Sequence, residues 1–158
     1  MSDRTADVQA ARAQQRVEEL AAASLRALAG EADLHFRGRR LHRGRHRLPL
    51  YAPHLHPRLE VDDEASFRGA ADGLALRIAC SDDALHRRHQ PAAPVARLLF
   101  DMLEQYRVES LADPAMPGVR HNLRHRFEAW LAQFHASGAA DTQRGILLFT
   151  IAQIARTR

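Results

Sequence analysis

Apolar side chains recur at helical spacing through the second half of the chain. One set follows the i, i+3, i+4, i+7, i+8, i+11 pattern of a single buried helix face, at Val95, Leu98, Leu99, Met102, Leu103 and Tyr106. The segment ADPAMPG ends that helix, and a second stripe continues at Phe127, Trp130, Leu131 and Phe134 as far as Gly138. The last segment is apolar on nearly all sides, at Ile146, Leu147, Phe149, Ile151 and Ile154. It predicts a helix that Asp141 caps and that lies at the centre of the core.

The first third of the chain contains one helix and one irregular basic segment. Residues 4–29 are rich in Ala, Glu, Gln, Arg and Leu, which predicts a helix with Asp3 as its N-cap, Gly30 at its end and first turns that project into solvent. The segment from residue 33 to residue 57 contains several Gly and Pro residues. Two extended stretches, 34–37 and 45–51, with an Arg/Gly turn between them, predict a small two-stranded ribbon or an ordered basic loop.

Helix-capping residues punctuate the middle of the chain. Asp62 or Asp63 is placed to cap a helix that ends within residues 77–80, and Ser81 or Asp82 to cap a short helix before Pro91. Pro94 suits the first turn of the helix that follows. We therefore predict a mainly α fold: a single domain over residues 1–158, with five or six helices and a small β-like or irregular basic insertion near residues 33–57.

The composition adds little to this picture and excludes some settings. The net charge is +4 and the sequence pI is near 10.4, but every basic residue other than His is Arg, so the pI overstates the charge at neutral pH. No apolar run approaches the ~20 residues that cross a bilayer. The polar first residues do not resemble a targeting peptide, and Cys80 is the single cysteine, so we expect a cytoplasmic protein without an intrachain disulfide.

Ten histidines raise the question of a metal site. His121 and His125 are spaced i, i+4 on a predicted helix, and His86 lies in a second cluster of basic residues. The segment HNLRH lacks the Glu of the zinc-protease motif, and neighbouring arginines would repel a cation. We expect no metal site and keep these three residues as weak candidates only.

The arginines of the basic segment form a candidate docking patch, which comprises Arg37, Arg39, Arg40, Arg43, Arg45 and Arg47. Guanidinium groups bind phosphates and carboxylates in pairs of hydrogen bonds, so nucleic acid and acidic proteins are both possible ligands. Few aromatic side chains accompany the patch, and single-stranded nucleic acid is bound largely by stacking. A solvated loop or a dock for an acidic protein segment is therefore favoured over nucleic acid.

Polar residues interrupt the helical patterns between residues 68 and 122. They are Arg68, Asp72, Arg77, Asp82, His86, Arg97, Asp101, Glu104, Gln105, Arg107, Glu109 and Asn122. Glu104 and Arg107 are spaced to pair along one helix, as is Asp101 with Gln105 or Arg97. These residues predict either a buried polar network between two helices or a set of surface ion pairs, and the pattern alone does not choose between them.

Three linked motifs resemble the N-terminal region of the CobT family: RGAADGLALRIACSDDALHRRHQP, ARLLFDMLEQYRVESL and MPGVRHNL. The resemblance covers about residues 66–123 and extends more loosely to both ends. It includes Arg68-Gly69, Asp72, Ala75-Leu76-Arg77, Asp82, His86, Ala96-Arg97, Phe100-Asp101, Glu104-Gln105, Arg107, Glu109, Met116, Gly118-Val119 and Asn122. Ser81 departs from the family, in which His is frequent at that position. P-loop, dinucleotide-binding and nucleophile-elbow motifs are missing, which disfavours an independent ATPase or hydrolase.

The family is subunit T of the aerobic, ATP-dependent cobaltochelatase of cobalamin biosynthesis. The resemblance implies a domain without catalytic residues of its own that docks or regulates. Its implied partners are an AAA+ ATPase subunit and the large chelating subunit that inserts Co²⁺ into hydrogenobyrinic acid a,c-diamide. ATP, Mg²⁺ and Co²⁺ are implied for the assembly, and no bound cofactor is implied for this domain.

Members of the family continue into an acidic linker and a von Willebrand A domain with a D-x-S-x-S metal motif, whereas this sequence ends at Arg158. We expect either one domain of a longer protein or a short relative. The basic patch could then bind such an acidic linker or the carboxylates of the corrin-type substrate. The alternative function is a cobalt or corrin-substrate carrier that uses histidine side chains.

Overall fold

The computed structural model describes residues 2–49 and 51–156, with side chains from residue 8 onward. Within these residues the elements are α1 (Ser2–Ala29), β1 (Leu34–Arg37), β2 (Arg40–Arg43), β3 (His46–Arg47), α2 (Glu64–Cys80), α3 (Asp83–His89), α4 (Pro94–Ser110), α5 (Pro117–Ala136) and α6 (Gln143–Arg156). Two 3-10 turns, Pro53–Leu55 and Ala139–Asp141, complete them. The mainly α fold with a small β insertion is confirmed. No helix in the described part is long and apolar enough to cross a membrane.

Helix α1 ends where its sequence predicts. Gly30 adopts a φ of 70°, and its N–H donates to the Arg26 carbonyl at 3.0 Å, which closes the helix with a left-handed residue. The helix begins at Ser2, and the predicted cap, Asp3, falls among the residues whose side chains the structure does not describe. All side chains from Val8 to Ala13 are exposed, so the first described turns extend beyond the body of the domain.

Helix α2 occupies the centre of the fold, and α1, α4 and α5 pack against it. Asp63 is its N-cap, because its carboxylate accepts a hydrogen bond from the Ser66 N–H at 2.8 Å. The buried positions of α2 are mostly glycine and alanine, which allows the neighbouring backbones to come close. At Gly69 an added Cβ would lie 2.2 Å from the Asn122 carbonyl oxygen of α5. This small-residue core explains why one helix of the bundle is contacted from three sides.

The predicted buried face of α4 is partly wrong. Met102 and Tyr106 are buried, but Leu103 is 46% exposed. Gln105 and Glu109 are buried in its place, because the face toward α2 contains polar partners for both side chains. The helix keeps its predicted start at Pro94 and ends at Ser110, before the segment ADPAMPG.

The prediction that the last helix lies at the centre of the core is wrong. In α6 only Gly145 and Ala152 are buried, whereas Ile146 and Ile154 are 53% and 54% exposed. The centre is already occupied by α2, so α6 packs at the edge of α4 and α5. Its predicted cap is also wrong: the hydroxyl of Thr142, and not Asp141, accepts the Gly145 N–H at 3.0 Å.

The basic insertion is a three-stranded antiparallel sheet in the order β1-β2-β3. Strand β2 lies where the sequence predicts a turn, so the ribbon has one strand more than expected. The β1–β2 turn has positive φ at both central residues, Gly38 (56°) and Arg39 (62°), as a tight two-residue hairpin requires. Arg39 is stabilised there by α1, since its N–H donates to the Glu18 carboxylate at 2.8 Å.

Candidate functional site

A buried polar cluster joins α4 to the 3-10 turn before α2. His54 Nε2 lies 2.8 Å from Glu109 Oε1, and the Gln105 amide donates both to that oxygen and to the Gly73 carbonyl, at 2.9 Å each. Arg156 pairs with the other Glu109 oxygen and ties α6 to the cluster. Burial alone would raise the pKa of Glu109, but His54 and Arg156 lower that pKa to about 2. Glu109 is therefore an ionised buried side chain that joins α4 to the 3-10 turn and to α6.

A second buried charge is the guanidinium of Arg77 on α2. It lies over the Tyr51 ring at 4.7 Å from the ring centroid, and its Nη1 donates to the Asp101 carbonyl at 3.3 Å. Burial lowers the pKa of Arg77, although nearby carboxylates oppose this, and the side chain stays charged. Burial raises the pKa of the Tyr51 phenol to about 12. The pair fixes the end of the basic insertion against α2.

The next cluster holds α3 against α4. The Asp101 carboxylate binds His86 Nε2 at 2.6 Å and the Gln90 amide at 3.1 Å, and the His86 ring stacks on Phe100 with centroids 4.5 Å apart. Asp82 caps α3, because its carboxylate accepts the N–H groups of Ala84 and Leu85. His86 and Asp101 are therefore engaged with each other inside the domain.

Glu104 and Arg107 bind the C-terminal end of α2. Arg107 donates to Glu104 at 2.7 and 2.8 Å and to the Cys80 carbonyl at 2.9 Å, so the pairing expected along α4 forms. The Ser81 hydroxyl donates to Glu104 at 2.5 Å. Hydrogen bonds from Arg107, followed by the one from Ser81, lower the pKa of Glu104 to about 2. Ser81, the position that departs from the family motif, thus has a defined contact.

The remaining motif residues lie apart from these clusters. Asn122 donates to Asp72 at 2.8 Å between α5 and α2, where burial raises the pKa of Asp72. Arg68 pairs at 3.5 Å with Glu64 on the exposed side of α2. Arg97 donates to two carbonyls of the loop before α4, and the Asp101 pairings expected with Arg97 or Gln105 do not form. The twelve residues therefore form several separate contacts, some between helices and others within one helix or with a loop.

The sequence interpretation missed a buried ion pair between α5 and the loop before α2. Arg126 and Asp62 form a salt bridge with side chains 2% and 1% exposed. Arg126 also donates to the His54 carbonyl, and Gln133 donates to Asp62 at 2.7 Å. Burial lowers the pKa of Arg126, opposed by Asp62. The available signal was the position of Arg126 beside Phe127, inside the apolar stripe of α5.

The three histidines considered for metal binding do not come together. His86 is paired with Asp101, His125 lies 2.9 Å from an Asp63 oxygen, and His121 is exposed one turn earlier on α5. Among the described residues, no group of three or more His, Cys, Asp or Glu side chains is arranged to hold a metal ion.

The arginines of the predicted docking patch fall into three groups. Arg43 is bound to Glu31 at 2.6 and 2.9 Å, and Arg39 to Glu60 at 3.2 Å, so acids from outside the segment neutralise part of the patch. The exposed group comprises Arg37, Arg45 and Arg47. Arg40 is half-buried and lines a cavity behind the hairpin.

That cavity has a volume of about 470 Å³ and lies between α1, the β1–β2 hairpin, the segment 55–58 and α2. A second cavity, of about 210 Å³, continues along α1 and α2 and shares Val17, Ala21 and Phe67 with the first. We call the two together the α1–α2 groove. Arg39, Arg40 and Arg58 line its hairpin end.

Comparison with solved structures gives no match. Comparison with protein families gives the family described as cobalamin biosynthesis protein CobT, whose model matches residues 11–158. The matched range contains every motif residue described above and all elements from β1 onward. Because the match covers most of the chain, the protein belongs to the CobT family of cobalamin biosynthesis proteins.

Proposed function

We propose that this chain is a non-catalytic docking and regulatory domain of an ATP-dependent cobaltochelatase. It takes part in cobalt insertion into hydrogenobyrinic acid a,c-diamide through contacts with an AAA+ ATPase subunit and the large chelating subunit. ATP, Mg²⁺ and Co²⁺ are handled by those other chains. The single cysteine, Cys80, supports an assembly in a reducing compartment such as the cytoplasm.

One observation carries the proposal: most charged side chains of the family motifs bind other parts of the same domain. His86 binds Asp101, Glu104 binds Arg107, and the buried Glu109 binds His54 and Arg156. Charged side chains that are paired within the protein hold its helices in place and are not available to a substrate. This supports a role in which the motifs maintain a binding scaffold.

The exposed side of the small sheet carries a cluster of positive charge. Arg37, Arg45 and Arg47 are exposed beside the stacked rings of His35 and His42, whose centroids lie 5.5 Å apart. An arginine-rich surface of this kind steers acidic protein surfaces and accelerates their association. We infer that an acidic region of a chelatase subunit approaches this side.

The test is a binding measurement with the immobilised chain and each purified chelatase subunit, at low and at high salt. We expect one subunit to bind, with an affinity that falls as salt rises, because exposed charges are screened within ~8 Å at physiological ionic strength. The combined variant Arg37→Gln, Arg45→Gln and Arg47→Gln should weaken binding. The matched control replaces three exposed arginines elsewhere, Arg12, Arg88 and Arg144, by Gln. Binding of neither subunit would refute the docking function.

A further inference from the structure

The α1–α2 groove is largely apolar, with three arginines at its hairpin end and the paired charges of Glu64 and Arg68 in its second cavity. Its floor is built from Phe36, Leu55, Phe67 and Leu74, which come from the hairpin, the 3-10 turn and α2. Val17 and Ala21 of α1 form the opposite wall along both cavities. The groove therefore follows the contact between two helices, and its two cavities, of about 470 and 210 Å³, hold more than one side chain.

Positive charge is concentrated where the groove meets the hairpin. Among the described residues, the guanidinium groups of Arg40 and Arg58 form no ion pair. Arg39 pairs only with Glu60, and both side chains of that pair are more than half exposed, so a competing carboxylate can replace Glu60 at small cost. The lining therefore presents more cationic than anionic groups to a ligand.

The two carboxylates in the lining both have partners: Glu64, in the second cavity, pairs with Arg68 at 3.5 Å, and Glu18 lies beside the hairpin. Glu18 accepts hydrogen bonds from the Gln14 amide and from the Arg39 N–H, both at 2.8 Å. It fixes the left-handed backbone of Arg39 and so sets the position of the hairpin against α1. The groove wall is built before any ligand arrives, which reduces the ordering cost of binding.

We propose that the α1–α2 groove binds a short acidic segment of a partner protein, which inserts leucine- or phenylalanine-sized side chains between α1 and α2 and places carboxylates on Arg40 and Arg58. The inference rests on the proposed docking function and adds the site and the chemistry of its ligand. Two connected apolar cavities fit successive side chains of one peptide, as in other groove-binding modes. The charge at one end sets the direction of the segment.

The test begins with a selection from a displayed library of random short peptides against the whole chain. The blocked variant is Ala21→Trp, which fills the wall shared by both cavities, and its matched control is Ala27→Trp on the exposed side of the same helix. The charge variant is the pair Arg40→Glu and Arg58→Glu, and its control is Arg88→Glu on α3. Circular dichroism establishes that each variant is folded before binding is measured.

We expect selected peptides to combine Asp or Glu with Leu or Phe, and a labelled representative to lose roughly tenfold or more in affinity with either groove variant, as for central interface contacts. The controls should bind as the original chain does. Selected peptides that bind the Ala21→Trp and charge-variant proteins unchanged would overturn the inference. A selection that yields no acidic–apolar consensus would also overturn it. So would a separate titration in which the fatty acid decanoate binds the groove while the selected peptides do not. If Ala21→Trp is unfolded, the charge pair alone decides.

The two proposals fail differently. If the selected peptide displaces a chelatase subunit from the chain, the groove is its docking site. If the groove selects acidic peptides but neither subunit binds the chain, the chelatase function fails and the groove inference stands. If a subunit binds equally well to the Ala21→Trp and charge variants, docking stands and the groove inference is overturned.

Discussion

Helices α2 and α5 approach closely at Gly69, and its replacement by Ala tests this packing. In an open helix, Gly→Ala is stabilising by about 0.5–1 kcal/mol, because Gly loses more conformational freedom on folding. At Gly69 the new Cβ would lie 2.2 Å from the Asn122 carbonyl oxygen and 2.7 Å from the Arg126 Cβ. The sign of the effect should therefore reverse.

The magnitude follows from the nature of the obstructing atom. Ordinary contacts between heavy atoms lie near 3.5 Å, so α2 and α5 must separate by roughly 1 Å, since a backbone carbonyl cannot rotate away. Overpacking of this kind costs about 1–3 kcal/mol. The same movement strains the Asn122–Asp72 hydrogen bond and the buried Arg126 contacts. After the gain in helix propensity is subtracted, we expect a net loss of about 1–2 kcal/mol in the free energy of unfolding.

The assay is urea unfolding followed by circular dichroism, with Gly118→Ala as the matched control. Gly118 lies in the first turn of α5, and nothing lies within 4 Å of its added Cβ. We expect that variant to be neutral or more stable by up to about 1 kcal/mol. If Gly69→Ala and Gly118→Ala agree within about 0.5 kcal/mol, the close approach of the two helices is refuted.

Three further outcomes are expected in unfolding experiments. Asp62→Asn or Arg126→Met each leave a buried charge unpaired and should cost about 3–5 kcal/mol, with partial recovery in the double variant; two small, additive losses would contradict this. Burial lowers the pKa of His56 to about 4, and Glu109 has a pKa of about 2. Both folded-state pKa values are below those of the unfolded chain, so both contributions to stability are complete only above the unfolded values. Stability should therefore fall as the pH drops below about 6.5, because of His56, and again below about 4.5, because of Glu109. A stability that stays constant from neutral to acid pH would refute this expectation. Ile146→Glu should change the free energy of unfolding by about 0.5 kcal/mol or less, because Ile146 is exposed. A loss of several kcal/mol would instead indicate that this face of α6 is buried.

Most helix boundaries were predictable, because residues close to each helix end determine them. Asp63, Asp82, Pro94 and Gly30 act through hydrogen bonds or backbone angles within a few positions, and all four lie where the helix ends require. The Arg39 turn was not predictable in this way, because a non-glycine residue at positive φ depends on Glu18 from another element.

The burial of individual side chains was harder to predict. The periodicity of apolar residues shows which face of a helix is apolar, but not how much of that face the neighbouring elements can cover. Leu103 fits the apolar stripe of α4, yet Gln105 and Glu109 take the buried positions since their partners, Gly73 and His54, lie on that side. The same reasoning applies to α6, whose apolar residues exceed the surface that the core can cover. Pairings such as Arg126 with Asp62, 64 positions apart, have no local signal.

In the candidate site, too, some features could be predicted from the sequence and others required the fold. Arginines of the basic insertion were visible as a charge pattern, but only the fold shows that Glu31 and Glu60 neutralise Arg43 and Arg39. The α1–α2 groove was not anticipated, because it needs four segments that lie far apart in the chain. The family motifs carried the functional assignment, whereas the geometry shows what their side chains contact.

Helix α1 consists of an exposed amino-terminal part and a packed carboxyl-terminal part, and the stability of each part has a different origin. At 1.5 Å per residue its 28 residues span about 42 Å, and the part from Val8 to Ala13 is exposed on every side. That part is governed by a local helix–coil equilibrium, since a solvated helical segment of this length is marginal without packing. Its amide protons should exchange far faster than those around Leu25, which is fully buried. Ala10→Gly should accordingly lower ellipticity near the amino terminus while leaving the midpoint of global unfolding unchanged.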